Sequence, residues 1–157
     1  MYFVSGVRKP FSLFARSDYT HRMNLLDPLF RSSAVDSLFT DRATLQGMLD
    51  FEAALARAEA RVGVIPGVAA AAIGTKCRAE LFDTAALAQA AARTGNIAIP
   101  LVKHLTLLVA KKDKQAAHFV HWGATSQDAI DTGRILQLRQ ALDLIARDLD
   151  KIGRAHV

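Results

Sequence analysis

The residues best suited to chemistry lie in one short polar turn between His121 and Asp128. A histidine in such a turn can exchange a proton or donate a hydrogen bond near neutral pH. Thr125, Ser126 and Gln127 follow it closely and add two hydroxyls and an amide. Donors of these kinds, gathered in one small volume, suit the recognition of a carboxylate or a phosphate. The turn is therefore a candidate anion-binding site.

The turn also leads into a helix, which strengthens this interpretation. The first amides of a helix have no intrahelical acceptor, and the helix dipole is positive there. If Thr125 is the N-cap, Asp128 falls at the third helical position and can form a capping box with Asp in place of Glu. Gly123 permits a tight turn just before the cap. An ordinary capped helix with a packed His and Trp is the simpler alternative.

The helix that follows is predicted to run from about Ser126 to Ile152. Its apolar residues recur at spacings of three and four, the pattern of a heptad seam. Such a seam needs partner helices, and the chain offers a single helix of this kind. We therefore expect an exposed stripe that favours association. The seam consists of Ile135, Leu138, Leu142, Ile145, Leu149 and Ile152.

Upstream of the turn, helical spacing with caps at both ends predicts further helices. No segment shows the sustained alternation of a strand, so the predicted fold class is all-α. The predicted helices run from the N-cap Thr40 to Gly63, from Pro66 towards Arg78, from Thr84 to Thr94 with Asp83 as cap, and from Pro100 through Val109.

Three regions follow from these patterns. Residues 1–24 lack periodicity, and we expect a disordered extension or a mis-assigned start, with Met23 as the alternative start. Residues 25–124 are predicted to form an N-terminal helical domain. Residues 125–157 are predicted to begin a central helix bundle that the chain does not complete.

Composition excludes several classes of function. The net charge is +5, but residues 1–24 carry four basic side chains against one acid, so the remainder holds no strong basic patch. We expect no nucleic-acid partner. No run of 18 apolar residues is present, so we expect no membrane partner. The single cysteine, Cys77, fits a reducing, cytoplasmic compartment, and the five histidines show no metal-ligand spacing with it.

The segment from His121 to Thr132 resembles the first signature region of the fumarase/aspartase/adenylosuccinate lyase superfamily. Trp122 and the run Ser126-Gln127-Asp128 are most similar to its 3-carboxy-cis,cis-muconate cycloisomerase family. The resemblance covers roughly Leu25 to Leu149. Other matching segments are Asp27–Phe30, Phe39–Arg42, Met48–Ala58 and Ile99–Lys103.

The resemblance implies a fumarase/aspartase-like fold, in which a homotetramer builds each active site from three subunits. It implies an intramolecular lyase, a lactonising isomerase of protocatechuate catabolism that needs no cofactor. Its substrate would be a small polycarboxylate. A carboxylate oxygen of that substrate adds across a double bond, and a proton moves at the adjacent carbon.

The resemblance also suggests roles for individual residues. His121 is the candidate catalytic residue. Thr125, Ser126 and Gln127 are candidate ligands of the substrate carboxylate, and Lys103 is a candidate cation beside it.

Other polar residues have simpler interpretations. Asp131 is a candidate for orienting His121 or a residue of a partner chain, although a structural role is commoner. Glu52 lies near an apolar stripe, where it is either the buried partner of a cation or, more commonly, a carboxylate at the edge. His104 is interpreted as a surface histidine, and His118 is interpreted as structural.

Two further signatures of the superfamily are absent from this sequence. They are a Gly-Arg-Thr-His-like segment and a Gly-Ser-Ser-x-Met-Pro-x-Lys-x-Asn loop that carries the presumed base. We expect the main acid and base residues beyond Val157, and we expect an N-terminal fragment that is inactive alone. The alternatives are a fragment of an adenylosuccinate lyase or fumarase-type elimination lyase, and a non-catalytic helical interaction module.

Overall fold

The computed structural model describes residues 25–26, 29 and 31–154. The predictions for residues 1–24 and the resemblance at Asp27, Pro28 and Phe30 lie outside the described residues. The described residues fall into two units, a first that ends at Arg31 and a second that begins at Ser32. In the first unit, the amide of Leu29 donates to the carbonyl of Leu26 at 2.9 Å. All helices discussed below belong to the second unit.

The second unit is helical, and its described residues contain no strand. This confirms the predicted fold class. A single 3-10 turn, Ala79–Leu81, lies between the third and fourth helices. The helices are α1 (Ser33–Leu38), α2 (Asp41–Arg61), α3 (Gly67–Gly74), α4 (Thr84–Thr94), α5 (Ala98–Ala110), α6 (Lys114–Ala117) and α7 (Ser126–Arg154).

Side-chain caps fix where several helices begin. The Thr40 hydroxyl accepts a hydrogen bond from the amide of Ala43 at 3.2 Å. The Asp83 carboxylate accepts one from the amide of Ala86 at 3.1 Å. Each bond satisfies a first-turn amide that has no partner within its helix. Both predicted caps are therefore confirmed, and Gly95 ends α4 in the left-handed region at a φ of 69°.

Two predicted helix boundaries are wrong. The third helix ends at Gly74 instead of continuing towards Arg78. The Gln46 side chain explains this, because its amide donates to the Cys77 carbonyl at 3.2 Å and its oxygen accepts from the Ala79 amide at 2.8 Å. These bonds hold a non-helical backbone across that segment.

The other wrong boundary is the start of α5, which begins at Ala98, ahead of Pro100. The Asn96 side chain accepts a hydrogen bond from the Ala98 amide at 2.8 Å. Proline is tolerated in the first turn of a helix because the amide that it lacks would have no intrahelical partner there.

Helix α2 lies at the centre of the packing and contacts both α3 and α7. The largest fully buried side chains come from α2, α3 and α5, and these helices contribute most of one hydrophobic core. On α5 the buried positions repeat every four residues, as expected of an amphipathic helix. The largest of these buried apolar residues are Leu49, Ile73, Leu101, Leu105 and Val109.

Helix α7 contacts α2 through small residues. A Cβ atom added at Gly133 would lie 2.9 Å from the backbone nitrogen of Met48, and one added at Gly47 would lie 2.9 Å from the Gly133 carbonyl oxygen. Ala129 is fully buried on the same face. The absence of side chains at the crossing lets the two backbones approach closely.

The predicted seam lies on the outward side of α7. Its six residues, from Ile135 to Ile152, are between 42% and 63% exposed. This confirms the expectation that the chain leaves the seam uncovered. Among the described residues, no helix is both long and apolar enough to cross a membrane.

Candidate active site

A buried pair of side chains joins the polar turn to the middle of α2. The Nδ1 atom of His121 lies 2.6 Å from the Oε1 atom of Glu52. The Glu52 side chain is 1% exposed and that of His121 is 14% exposed. A carboxylate accepts hydrogen bonds, so this contact suits an imidazole that carries a hydrogen on Nδ1. The bond is therefore charge-assisted and shielded from water.

The backbone of the turn presents His121 to this carboxylate. His121 has a φ of 58°, and it is the only non-glycine residue with a positive φ in the described part of the chain. The left-handed region costs an L-residue about 1–2 kcal/mol. Gly123 adopts a φ of 67° without that cost, as the sequence predicted. The surrounding contacts must offset the strain at His121.

Aromatic rings pack on both sides of the turn. The Phe51 ring meets the His121 ring edge-on, with centroids 6.4 Å apart. The rings of Phe119 and Trp122 are tilted against each other at 5.9 Å. Phe51 is adjacent to Glu52 on α2, so one helix supplies both the carboxylate and the ring that contact the histidine.

The electrostatic surroundings of His121 are acidic. The hydrogen bond to Glu52 raises the pKa of His121, against the opposing effect of burial, and the charges of Glu52, Asp128 and Glu59 raise it further. Burial and the charge of Glu52 raise the pKa of Glu59. The Oε2 atoms of Glu52 and Glu59 are both buried without a hydrogen-bond partner in the described structure. The site thus favours a protonated histidine.

The start of α7 forms the predicted capping box. The Thr125 amide donates to Oδ2 of Asp128 at 2.7 Å, and the Thr125 hydroxyl donates to the same oxygen at 2.8 Å. The Asp128 amide approaches the Thr125 hydroxyl oxygen at 3.4 Å. The bonds from Thr125 lower the pKa of Asp128. The cap is exposed to solvent, in contrast to the pair of His121 and Glu52.

The other two predicted ligands in this turn differ in their contacts. The Gln127 side-chain amide donates to Oδ1 of Asp131 at 2.6 Å. Asp131 thus contacts Gln127, and no hydrogen bond joins it to His121 within the described part of the chain. Ser126 is the first residue of α7 and is partly buried.

Lys103 lies apart from these contacts. It is exposed on α5, and no ion pair or hydrogen bond joins its side chain to another described residue. The neighbouring His104 is half-buried and packs its ring against Phe82 at 5.1 Å, so it is less exposed than the surface histidine that the sequence favoured. The structure therefore brings together His121 and Glu52, and Thr125 and Asp128, but shows no contact between Lys103 and either pair.

Glu52 is the residue for which the sequence left two interpretations open. It is buried among the apolar residues of α2, so the commoner interpretation as an edge carboxylate is wrong, and the interpretation as the buried partner of a cation is the one that fits. Met48, Leu49, Ala53 and Ala56 are buried on the same helix. A charged residue within such a stripe is a signal, since an isolated buried charge is costly and requires a partner. The sequence did not show that His121 is that partner.

Cys77 is not a candidate nucleophile. It is buried, and its thiol donates to the carbonyl of Ile73 at 3.4 Å. Burial raises the pKa of the thiol to about 12. Since the thiolate is the reactive form, the residue is inert at neutral pH. Within the described ranges, no group of His, Cys, Asp or Glu side chains is placed to hold a metal ion.

Comparison with known families identifies the fold that carries this site. A family model described as Lyase matches residues 31–156. The chain belongs to this lyase family. The turn, the capping box and the pair of Glu52 and His121 all lie within the matched region.

Sequence identity to individual lyases gives a more specific comparison. The 3-carboxy-cis,cis-muconate cycloisomerase of Bradyrhizobium diazoefficiens is 60% identical over 127 residues, which are 81% of this chain and 28% of that protein. The nitrosuccinate lyase of Streptomyces davaonensis is 44% identical over 131 residues, 83% of this chain and 28% of that protein. The chain spans about 28% of the length of these curated relatives.

A solved structure gives the same result for the fold. The crystal structure of 3-carboxy-cis,cis-muconate lactonizing enzyme from Pseudomonas putida superposes with a TM-score of 0.77 at 58% sequence identity. The match covers 80% of this chain and 28% of that one. The all-helical, fumarase/aspartase-like fold expected from the resemblance is therefore confirmed.

Proposed function

We propose that this chain supplies the carboxylate-binding part of a 3-carboxy-cis,cis-muconate cycloisomerase active site. The observation that carries the proposal is the buried pair of Glu52 and His121 beside the start of α7. It occurs in a chain that is 60% identical, over the matched region, to a cycloisomerase. His121 contacts the substrate, Thr125, Ser126 and Gln127 bind its carboxylate, and Lys103 adds a positive charge.

The chemistry of a lactonising isomerase explains why these groups are useful. A substrate carboxylate oxygen adds across a double bond, and a proton moves at the carbon next to another carboxylate. Negative charge develops beside that second carboxylate in the transition state. A protonated imidazole and the free amides of a helix start are donors fixed in advance, and such donors stabilise developing charge. The remaining acid and base groups belong to other segments of the complete site.

The exposed seam supports the proposed assembly. We assign residues 125–157 to the first helix of a central bundle, in which helices of further copies cover the seam. The proposed assembly is a homotetramer that binds a small polycarboxylate and contains no cofactor. The proposed compartment is the cytoplasm, supported by the single free cysteine, Cys77.

A chimeric enzyme tests this proposal. Residues 31–156 of this chain would replace the matched 127 residues of the Bradyrhizobium cycloisomerase, and lactonisation of 3-carboxy-cis,cis-muconate would be measured. We expect activity within tenfold of the parent enzyme and a loss of at least a hundredfold on His121→Asn. A chimera that assembles like the parent but lacks activity would overturn the proposal. The 157-residue chain alone should show no lactonisation, and full activity there would contradict the partial site.

An elimination lyase is the second candidate, favoured by the 44% identity to the nitrosuccinate lyase. A parallel chimera with the remainder of that Streptomyces enzyme separates the two functions. Greater recovery of nitrosuccinate elimination than of lactonisation, each relative to its parent enzyme, would favour the second candidate. An interaction module is the third candidate, favoured by the exposed seam. Concentration-dependent helicity, with both chimeras inactive, would support it.

A further inference from the structure

The contacts of His121 divide its two ring nitrogens between different tasks. Nδ1 is held by Glu52 at 2.6 Å, and Glu52 is almost completely buried. Nε2 makes no hydrogen bond to any described residue. We infer that Glu52 is a positioning residue, which accepts the Nδ1 hydrogen of His121 and leaves Nε2 free to donate to a bound carboxylate.

Three observations on the structure support this inference. Glu52 is fixed on the middle of a long helix, so its carboxylate has a defined position. Its Oε1 atom bonds to His121, while its Oε2 atom is buried without a partner, so His121 is its sole described hydrogen-bond partner. The left-handed backbone of His121 is an uncommon conformation for such a residue. Strain of this kind persists where the surroundings fix one arrangement.

The surrounding charges determine when Nε2 carries a hydrogen. Glu52 and Glu59 face His121 from α2, and Asp128 faces it from α7. All three favour the protonated ring, in which both nitrogens donate. When the ring loses a proton, the proton leaves from Nε2, because the hydrogen bond to Glu52 keeps the other hydrogen on Nδ1. Nε2 then becomes an acceptor. The ring therefore donates to a carboxylate at low pH and repels it at high pH.

The ring tautomer of the unmodified 157-residue chain provides a direct test. Nitrogen-15 NMR of the histidine side chains distinguishes a neutral ring with hydrogen on Nδ1 from one with hydrogen on Nε2. We expect His121 to hold its hydrogen on Nδ1 above its pKa, with the exposed His118 as the internal reference. A neutral His121 with its hydrogen on Nε2 would overturn the inference without any mutant.

Matched variants test the origin of the effect. In Glu52→Gln the bond partner remains but the charge is lost, and we expect the proton affinity of His121 to fall at least tenfold. Glu52→Asp keeps the charge and should recover part of that loss. Glu59→Gln removes a neighbouring charge without breaking the bond and should change the affinity less than Glu52→Gln does. Equal effects of Glu52→Gln and Glu59→Gln, in folded variants, would contradict a positioning role.

The proposed donation from His121 Nε2 to a bound carboxylate rests on the proposed function, and it is tested by a separate measurement. Tricarballylate, an unreactive tricarboxylate, would be titrated into the chain while the His121 signals are followed. We expect binding that weakens at least tenfold as pH rises through the His121 pKa and weakens similarly in Glu52→Gln. A hydrogen fixed on Nδ1 without tricarballylate binding would support the positioning role and count against the proposed function. Tricarballylate binding by a chain whose neutral His121 carries its hydrogen on Nε2 would support the proposed function and count against the positioning role.

Discussion

Helix α7 has two unlike sides. One side packs against α2 and stabilises the fold, and the other is exposed to solvent. The side towards α2 is formed by small residues, including Gly133 and Ala129, and its backbone nearly touches that of α2. The outward side carries six large apolar residues that remain exposed. The large apolar residues of the seam thus lie outside, as the sequence predicted, while the smallest residues make the closest internal contact.

The same contrast holds for the polar groups beside α7. The bond between His121 and Glu52 is buried against α2, whereas the bonds between Thr125 and Asp128 are exposed. The bond lengths are similar, from 2.6 to 2.8 Å. Burial is the main difference, because a charged group without water depends entirely on its partner. We therefore expect substitutions towards α2 to reduce stability more than those on the outward side.

The largest effect should come from Gly133→Ala. The added methyl group would meet the backbone of Met48 and Gly47 at 2.9–3.0 Å, so the two helices must separate. We expect the free energy of unfolding, measured by urea titration, to fall by about 2 kcal/mol. Gly74→Ala is the control, since nothing lies within 4 Å of a Cβ there. It should leave stability unchanged or raise it by up to about 1 kcal/mol, and an equal loss in both variants would contradict the close contact.

Glu52→Gln should have the next largest effect, with a characteristic pH dependence. We expect a loss of about 1.5 kcal/mol in the free energy of unfolding where His121 is charged. The pKa of His121 is raised in the folded state. The stability that it contributes is therefore fully present below about pH 6.5, its ordinary pKa, and disappears as pH rises through the folded value. A difference between wild type and variant that grows with pH would refute this account.

Thr125→Ala should have a smaller effect. The substitution removes the hydroxyl of the capping box at the start of α7, and loss of an N-cap side chain typically costs about 1 kcal/mol. Because this cap is exposed, water can replace the lost bond. Thr125→Ser, which keeps the hydroxyl, is the matched control and should remain close to wild type. A larger loss in the free energy of unfolding for Thr125→Ala than for Glu52→Gln would contradict the expectation that substitutions towards α2 cost more stability.

The smallest effect on the unfolding of one chain should come from Leu142→Lys. The side chain is 63% exposed in the seam, so the change should alter stability by less than about 0.5 kcal/mol at low protein concentration. Association, followed by sedimentation, should nevertheless weaken at least tenfold. Leu81→Lys, at an exposed leucine outside the seam, is the control and should not alter association. Unchanged association of Leu142→Lys would exclude the seam as an interface.

Much of the local structure followed from the sequence because its causes are local. The caps at Thr40, Asp83 and Thr125 depend on a side chain and an amide a few residues away, so the sequence contains both partners. The two wrong boundaries have a different origin. Gln46 reaches the segment after α3 from another helix, and sequence spacing within that segment could not reveal it.

The sequence by itself determined the helical fold class, the length of α7, its apolar seam and the polar turn at its start, since each depends on residue type and spacing along one segment. The tertiary structure alone decided the partner of His121, which lies 69 positions away in the sequence as Glu52. It also decided which side of α7 packs on α2, because only the folded backbone shows where two glycines meet. Contacts of this kind depend on distances between helices, which periodicity within each helix does not specify.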